Sequence, residues 1–129
     1  DRQNSTVALH AAATLGNMAA GSSSTIHHVV DADAGSHLVA LVSDPTLDVD
    51  VTLAATIALA NICAEEQVLE TIYKCRPVRP LLRLIGWGQG EQVQPHSFEI
   101  VAGALDALRC LATLPAPRQD MYDLSALDA

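Results

Sequence analysis

The stretch from Val51 to Cys63 reads V-T-L-A-A-T-I-A-L-A-N-I-C, and its reading decides the fold. Val51, Ala55, Leu59 and Ile62 recur at steps of four, four and three residues. Those steps put four apolar side chains on one stripe of an α-helix, with Asn61 beside the stripe. The same pattern stands 44 positions earlier as Val7, Ala11, Leu15, Asn17 and Met18. It stands again 49 positions later as Ile100, Ala104, Leu108, Cys110 and Leu111. One helix occurring three times at nearly constant spacing marks a repeat array, in which each unit packs against its neighbours in line. The expected class is all-α, a solenoid of helices.

Composition supports that reading. The chain has 129 residues and is half hydrophobic, yet only Tyr73, Trp87, Phe98 and Tyr122 are aromatic. The core must then be built from Ala, Leu, Val and Ile, and small residues let helix axes approach closely. Long alternating Val/Thr/Tyr runs, the mark of a sheet, do not occur. The formal charge of −8 sets up a negative field. Such a field disfavours nucleic acid and anionic membranes and favours a basic partner. Cys63, Cys75 and Cys110 are odd in number and lack CxxC spacing. Free thiols in a reducing compartment explain them better than disulfides do. Neither a basic-then-apolar leader nor an apolar run of membrane length is read. A soluble, cytoplasmic chain is expected.

Outward from the long helix, the units take shape. A helix over 5–20 matches the third helix of a unit whose first two helices are not seen. Gly21 to Ser24 connects it to a complete unit over 24–64, with a short helix from Thr25, a break at Asp33-Ala34-Gly35, a second helix from Ser36 to Ser43 and the long helix after Pro45. A second complete unit covers 65–114, with helices expected from Glu65 to Lys74, Pro77 to Ile85 and Ser97 to Thr113. It carries a loop insertion over 86–96 that includes Trp87; loop insertions are cheap in a solenoid and often functional. Pro115 and Pro117 are expected to end the last long helix. Residues 115–129 are then a tail, or a capping helix built on Met121, Tyr122, Leu124 and Leu127. An array that opens on a third helix has an apolar flank. A longer array or another subunit is expected to cover it.

These residues resemble armadillo repeats. The family's third helix typically reads V-x-x-x-A-x-x-x-L-x-N-L, and Val51, Ala55, Leu59, Asn61 and Ile62 match it throughout. The family's acidic-Ala-Gly junction, followed by L-V-x-L, is similar to Asp33-Ala34-Gly35 with Leu38-Val39 and Leu41-Val42. The likeness runs from about Thr6 to Leu114. It departs in the last unit, where Cys110 stands for Asn, Asp106 for an aliphatic and Pro77-Val78 for the junction Gly. The resemblance implies a right-handed α-solenoid of three-helix repeats. HEAT-like two-helix units are the runner-up, and Gly35 at the junction favours the three-helix form.

It further implies that third helices line an inner surface where Asn17 and Asn61 would hold an extended peptide by its backbone. An amide side chain suits that role, because it can donate to a peptide C=O and accept from a peptide N–H. Projected at about 100° per residue, the same face carries His10 and Ala13, then Asp50, Ala54 and Ile57, then Glu99, Gly103 and Asp106. The carboxylates could read Lys or Arg, although Asp50 and Glu99 also oppose their helix dipoles from the first turn. Asp106, in mid-helix, is the better binding candidate. Trp87 is a candidate exposed anchor. The nuclear-import class of the family carries a Trp one turn before the Asn. Ala13, Ile57 and Asp106 hold that place here, so an import groove is not expected.

No enzyme is expected. His27, His28 and His37 lack metal spacing, and Gly86, Gly88 and Gly90 lack the strand and GK[ST] of a phosphate loop. Neither metal nor cofactor is called for. The expected function is a scaffold or adaptor that binds a protein or peptide partner, of basic character, along the inner groove. The alternative is a structural subunit of a large complex, cytoskeletal or ciliary, with no free peptide ligand.

Overall fold

The computed structural model describes residues 2–86 and 96–127. Eight α-helices follow one another among them: α1 (Arg2–Ala19), α2 (Ser23–Asp31), α3 (Ala34–Ser43), α4 (Val49–Cys63), α5 (Leu69–Tyr73), α6 (Val78–Ile85), α7 (Ser97–Leu111) and α8 (Pro115–Leu127). A 3-10 turn, Glu66–Val68, leads into α5. No strand occurs among the described residues. Trp87 and the greater part of the expected insertion lie outside them.

Local chemistry sets the boundaries. Ser22 caps α2 by accepting the Thr25 N–H at 3.2 Å, which satisfies one orphan donor of the first turn. Asp44 Oδ1 accepts from the Thr46 N–H at 2.9 Å and from its hydroxyl at 2.6 Å, and this side-chain turn stops α3 ahead of α4. The two bonds hold the Asp44 carboxyl below its ordinary pKa. Asp33 and Arg76 take the left-handed conformation, φ 70° and 61°, at the turn between first and second helices of their units. Each closes that turn with the same backbone bond, Asp33 N–H to the Val30 carbonyl and Arg76 N–H to the Tyr73 carbonyl.

The three long helices form the spine. α1 packs on α4 and α4 on α7, while α3 and α6 lie against α4 and α7. In α4 the stripe read from sequence is fully interior: Val51, Ala55, Leu59 and Ile62 are each 1% exposed or less. Full burial of a Leu or Ile side chain contributes about 1.5–3 kcal/mol. Small residues set the helix spacing. A Cβ built on Gly16 of α1 would lie 3.5 Å from the Cβ of Ala58, an ordinary contact. One built on Gly103 of α7 would lie 2.9 Å from Thr56 Cγ2, closer than real Cβ atoms come. Neighbouring units are also tied by polar bonds: Arg83 Nη2 of α6 donates to the Val42 carbonyl at 2.9 Å, one of the carbonyls left open at the end of α3.

Several expectations need correction. The outer stripe of α1 is not core: Val7 is 68% exposed and Met18 41%, whereas Ala12, Gly16 and Ala19 are the buried residues. In the middle unit α3 packs against α4, whose stripe is interior. Gly103 does not line an inner surface, because it faces Thr56. α3 begins at Ala34, two residues before Ser36. The final helix begins at Pro115; proline lacks only an N–H that the first turn leaves unpaired, so Pro115 and Pro117 start α8 as well as following α7.

The cysteines are free thiols. Cys63 is buried while Cys75 and Cys110 are half-buried. Burial, with a smaller contribution from Cys110, pushes the Cys63 thiol from 9.0 up to about 12. Native protein should therefore yield Cys75 and Cys110 to a thiol reagent and spare Cys63 until it unfolds, since the thiolate is the reactive form. Because its folded pKa is raised, the stability contribution of Cys63 is complete below its unfolded pKa and is lost as pH rises through the folded one. Stability measured by denaturant titration should fall on that alkaline limb. A Cys63→Ala variant should fall less there. Equal labelling of all three thiols in the native state would contradict this burial.

Candidate functional site

Where α1 and α4 run side by side, a groove of about 390 Å³ opens on their common face. Its floor is apolar, formed by Leu9 and Ala13 of α1 with Leu53, Ala54 and Ile57 of α4. The floor is open because Gly16 and Ala58 bring the helix backbones together, leaving no bulky side chain between them. Ile57 is 44% exposed. An aliphatic residue left that open on a helix otherwise sealed by its stripe is the strongest apolar handle in the groove.

Polar groups rim the floor. Asn17 and Asn61 both line the groove, from α1 and α4 respectively. The Asn61 Nδ2 donates to the Gly16 carbonyl at 3.3 Å. That bond crosses from one unit to the one before it, so Asn61 joins neighbouring units rather than serving its own. The amide keeps a second N–H and its carbonyl oxygen for another partner. The Asn17 side chain is exposed. At the other end of the groove stands Asp50. Its Oδ1 lies 3.7 Å from His96 Nε2, while His96 Nδ1 lies 3.8 Å from Glu99 Oε2. A protonated imidazole would thus be shared between two carboxylates on successive units.

The projected face is brought together only in part. Asn17, Asn61, Ile57, Ala13, Ala54 and Asp50 share the groove. His10 is exposed on α1 and is not among the lining residues, and its carbonyl accepts from the Thr14 hydroxyl at 2.8 Å. Asp106 is exposed on α7, away from this groove, with its carboxylate 3.9 Å from Arg109 Nη2. Trp87 falls outside the described residues. Sequence reasoning missed Leu9 and Leu53, whose signal was present: each stands one helical turn before a projected residue, Ala13 and Ile57. It also missed His96, which nothing in the periodic pattern brings next to Asp50.

Among the described residues no cluster of three His, Cys, Asp or Glu side chains could hold a metal. No described helix is long and apolar enough to cross a membrane. Chemically, the site offers an apolar trough with amide and carboxylate edges. It provides contact area and hydrogen-bonding groups.

No protein-family model matches the chain, and no curated protein is similar to it at a significant level. Among solved structures, a designed armadillo repeat protein superimposes with a TM-score of 0.74 at 24% sequence identity. The match takes in 92% of this chain, which spans 47% of the designed protein. The fold is that of an armadillo-type all-α solenoid.

Proposed function

We propose that this chain is a protein-interaction scaffold that holds an extended protein segment in the groove between α1 and α4. The observation that carries the proposal is the open apolar floor around Ile57 with an amide on each side, Asn17 and Asn61. Ligand side chains would seat on Leu53, Ala54 and Ile57, and the amides would pair with the ligand backbone irrespective of its sequence. Asp50, in a chain of net charge −8, favours a segment bearing Lys or Arg. The cytoplasm is the proposed location, where free thiols such as these persist.

The test begins with a peptide selected from a displayed random library against the whole chain. Its affinity is then compared by fluorescence anisotropy for the native chain and an Asn17→Ala, Asn61→Ala double variant. A neutral hydrogen bond contributes about 0.5–1.5 kcal/mol net, so loss of two should weaken binding roughly tenfold. Circular dichroism must show both proteins equally helical. Unchanged affinity in a folded variant would count against backbone reading by the asparagines.

A second reading rests on a different observation, the exposure of Val7 and Met18 on α1. Their counterparts Val51 and Ile62 are buried. In this reading the chain is a structural subunit, cytoskeletal or ciliary, packed within a large assembly. Sedimentation separates the two: a stable monomer that binds peptide supports the scaffold, and concentration-dependent association without peptide binding supports the subunit.

A further inference from the structure

A second cleft, of about 440 Å³, lies between the α5–α6 turn and α8. It shares no lining residue with the groove on α1 and α4. Three of the chain's seven cations, Lys74, Arg76 and Arg79, line it. Val78 and Leu124 provide its apolar surface.

Both carboxylates in the cleft are already engaged. Asp120 accepts the Tyr73 hydroxyl at 2.5 Å, and Asp123 accepts from Gln119 Nε2 at 2.9 Å. The bond to Asp120 raises the Tyr73 pKa, so the phenol remains a donor. Among the described residues, none of the three cations has a carboxylate within ion-pair distance. The cleft therefore carries cationic donors without partners beside an apolar wall.

The conformation of Arg76 adds an independent observation. At the same turn of the middle unit the left-handed residue is Asp33, a type that tolerates positive φ. Arginine does not share that tolerance, and a left-handed non-glycine residue is strained. Gly or Asn would relax the turn, yet a guanidinium is held there, at the mouth of the cleft.

We propose that this cleft is a second binding site, which takes an acidic protein segment carrying an aliphatic side chain next to its carboxylates. Arg76 and Arg79 would grip carboxylates through paired N–H donors, with Lys74 adding a point charge. The aliphatic side chain would rest on Val78 and Leu124. A long polyanion is the poorer fit, because the field of a chain with net charge −8 repels it, while a short segment meets only the local charges, where Lys74, Arg76 and Arg79 outnumber Asp120 and Asp123.

Fluorescence anisotropy with the full chain tests this, using a labelled Glu-Glu-Leu-Glu-Glu peptide as probe and its Gln-Gln-Leu-Gln-Gln counterpart as control. The glutamate peptide should bind at least tenfold more tightly than the glutamine peptide, and weaken as salt is added. Arg79→Gln should reduce its affinity about tenfold. Arg76→Gly should reduce it similarly while the melting temperature stays level or rises, a combination that damage to folding cannot produce. Equal binding of the two peptides, no binding of either, or undiminished binding to both variants would overturn the proposal. Tighter binding of single-stranded DNA than of the glutamate peptide would overturn it too, by identifying a general polyanion site.

Discussion

Replacing Gly103 with leucine should part α4 from α7 and lower the stability of the chain by about 3 kcal/mol or more, at the upper end of overpacking effects. The reason lies in Thr56. Its Cγ2 methyl would already stand 2.9 Å from a Cβ on Gly103. Its hydroxyl donates to the Thr52 carbonyl at 2.7 Å, and the residue is 0% exposed. Rotation that moved the methyl aside would break a buried hydrogen bond, and nothing in the core would replace it. Gly103→Ala probes the same contact more gently. Its helix-propensity gain of about 1 kcal/mol opposes the clash, so its net effect should be small. Thr56→Ser removes only the offending methyl and keeps the hydroxyl. The double variant Gly103→Ala, Thr56→Ser should then be more stable than the two single changes predict by about 1 kcal/mol, a coupling normal for residues in contact. Urea titration read by circular dichroism measures all four proteins. Additive effects would mean that the helices can re-space freely, and that glycine is not what sets the α4–α7 distance.

The second large effect concerns binding. Ile57→Arg should weaken a library-selected groove ligand at least tenfold, with little change in folding, because residue 57 is 44% exposed and an arginine there can reach solvent. About 1.4 kcal/mol accounts for a factor of ten, and the change removes apolar contact at the centre of the floor while placing a cation in the ligand's path. For a ligand chosen because it carries Lys or Arg, like-charge repulsion adds to the loss. Ile57→Leu keeps the apolar contact and should retain most of the affinity. Loss in both variants would indicate a shape requirement stricter than an open trough imposes; loss in neither would place the ligand elsewhere.

The periodicity of the sequence was sufficient for the spine. A stripe of Val51, Ala55, Leu59 and Ile62 has one way to become solvent-free in a helix, and all four positions did so. The armadillo resemblance, carried by that stripe and by Asp33-Ala34-Gly35, agrees with the solved structure that superimposes on the chain. The stripe on α1 illustrates the limit. Val7 and Met18 obey the same pattern, yet burial depends on neighbours, and pattern alone cannot supply them. The groove was legible where 100° steps alone decide facing, as for Asn17, Ala54 and Ile57. It failed at Gly103, because a projection onto one helix does not show which side the next helix will approach. Asp106 and His10 are exposed, as projected, but neither lines the groove between α1 and α4. His96 and the cationic cleft depended on turns and on α8, where contacts are made across 46 positions or so of sequence and leave no periodic trace.

The central claim is that the face shared by α1 and α4 receives the ligand. A backbone-amide NMR titration of the whole chain with the library-selected peptide tests it most directly. The account predicts the largest shift changes within residues 9–20 and 50–61, with the side-chain amides of Asn17 and Asn61 among the most affected. Changes confined to α2, α3 and α6, or to the cleft between the α5–α6 turn and α8, with both asparagine amides unmoved, would contradict it.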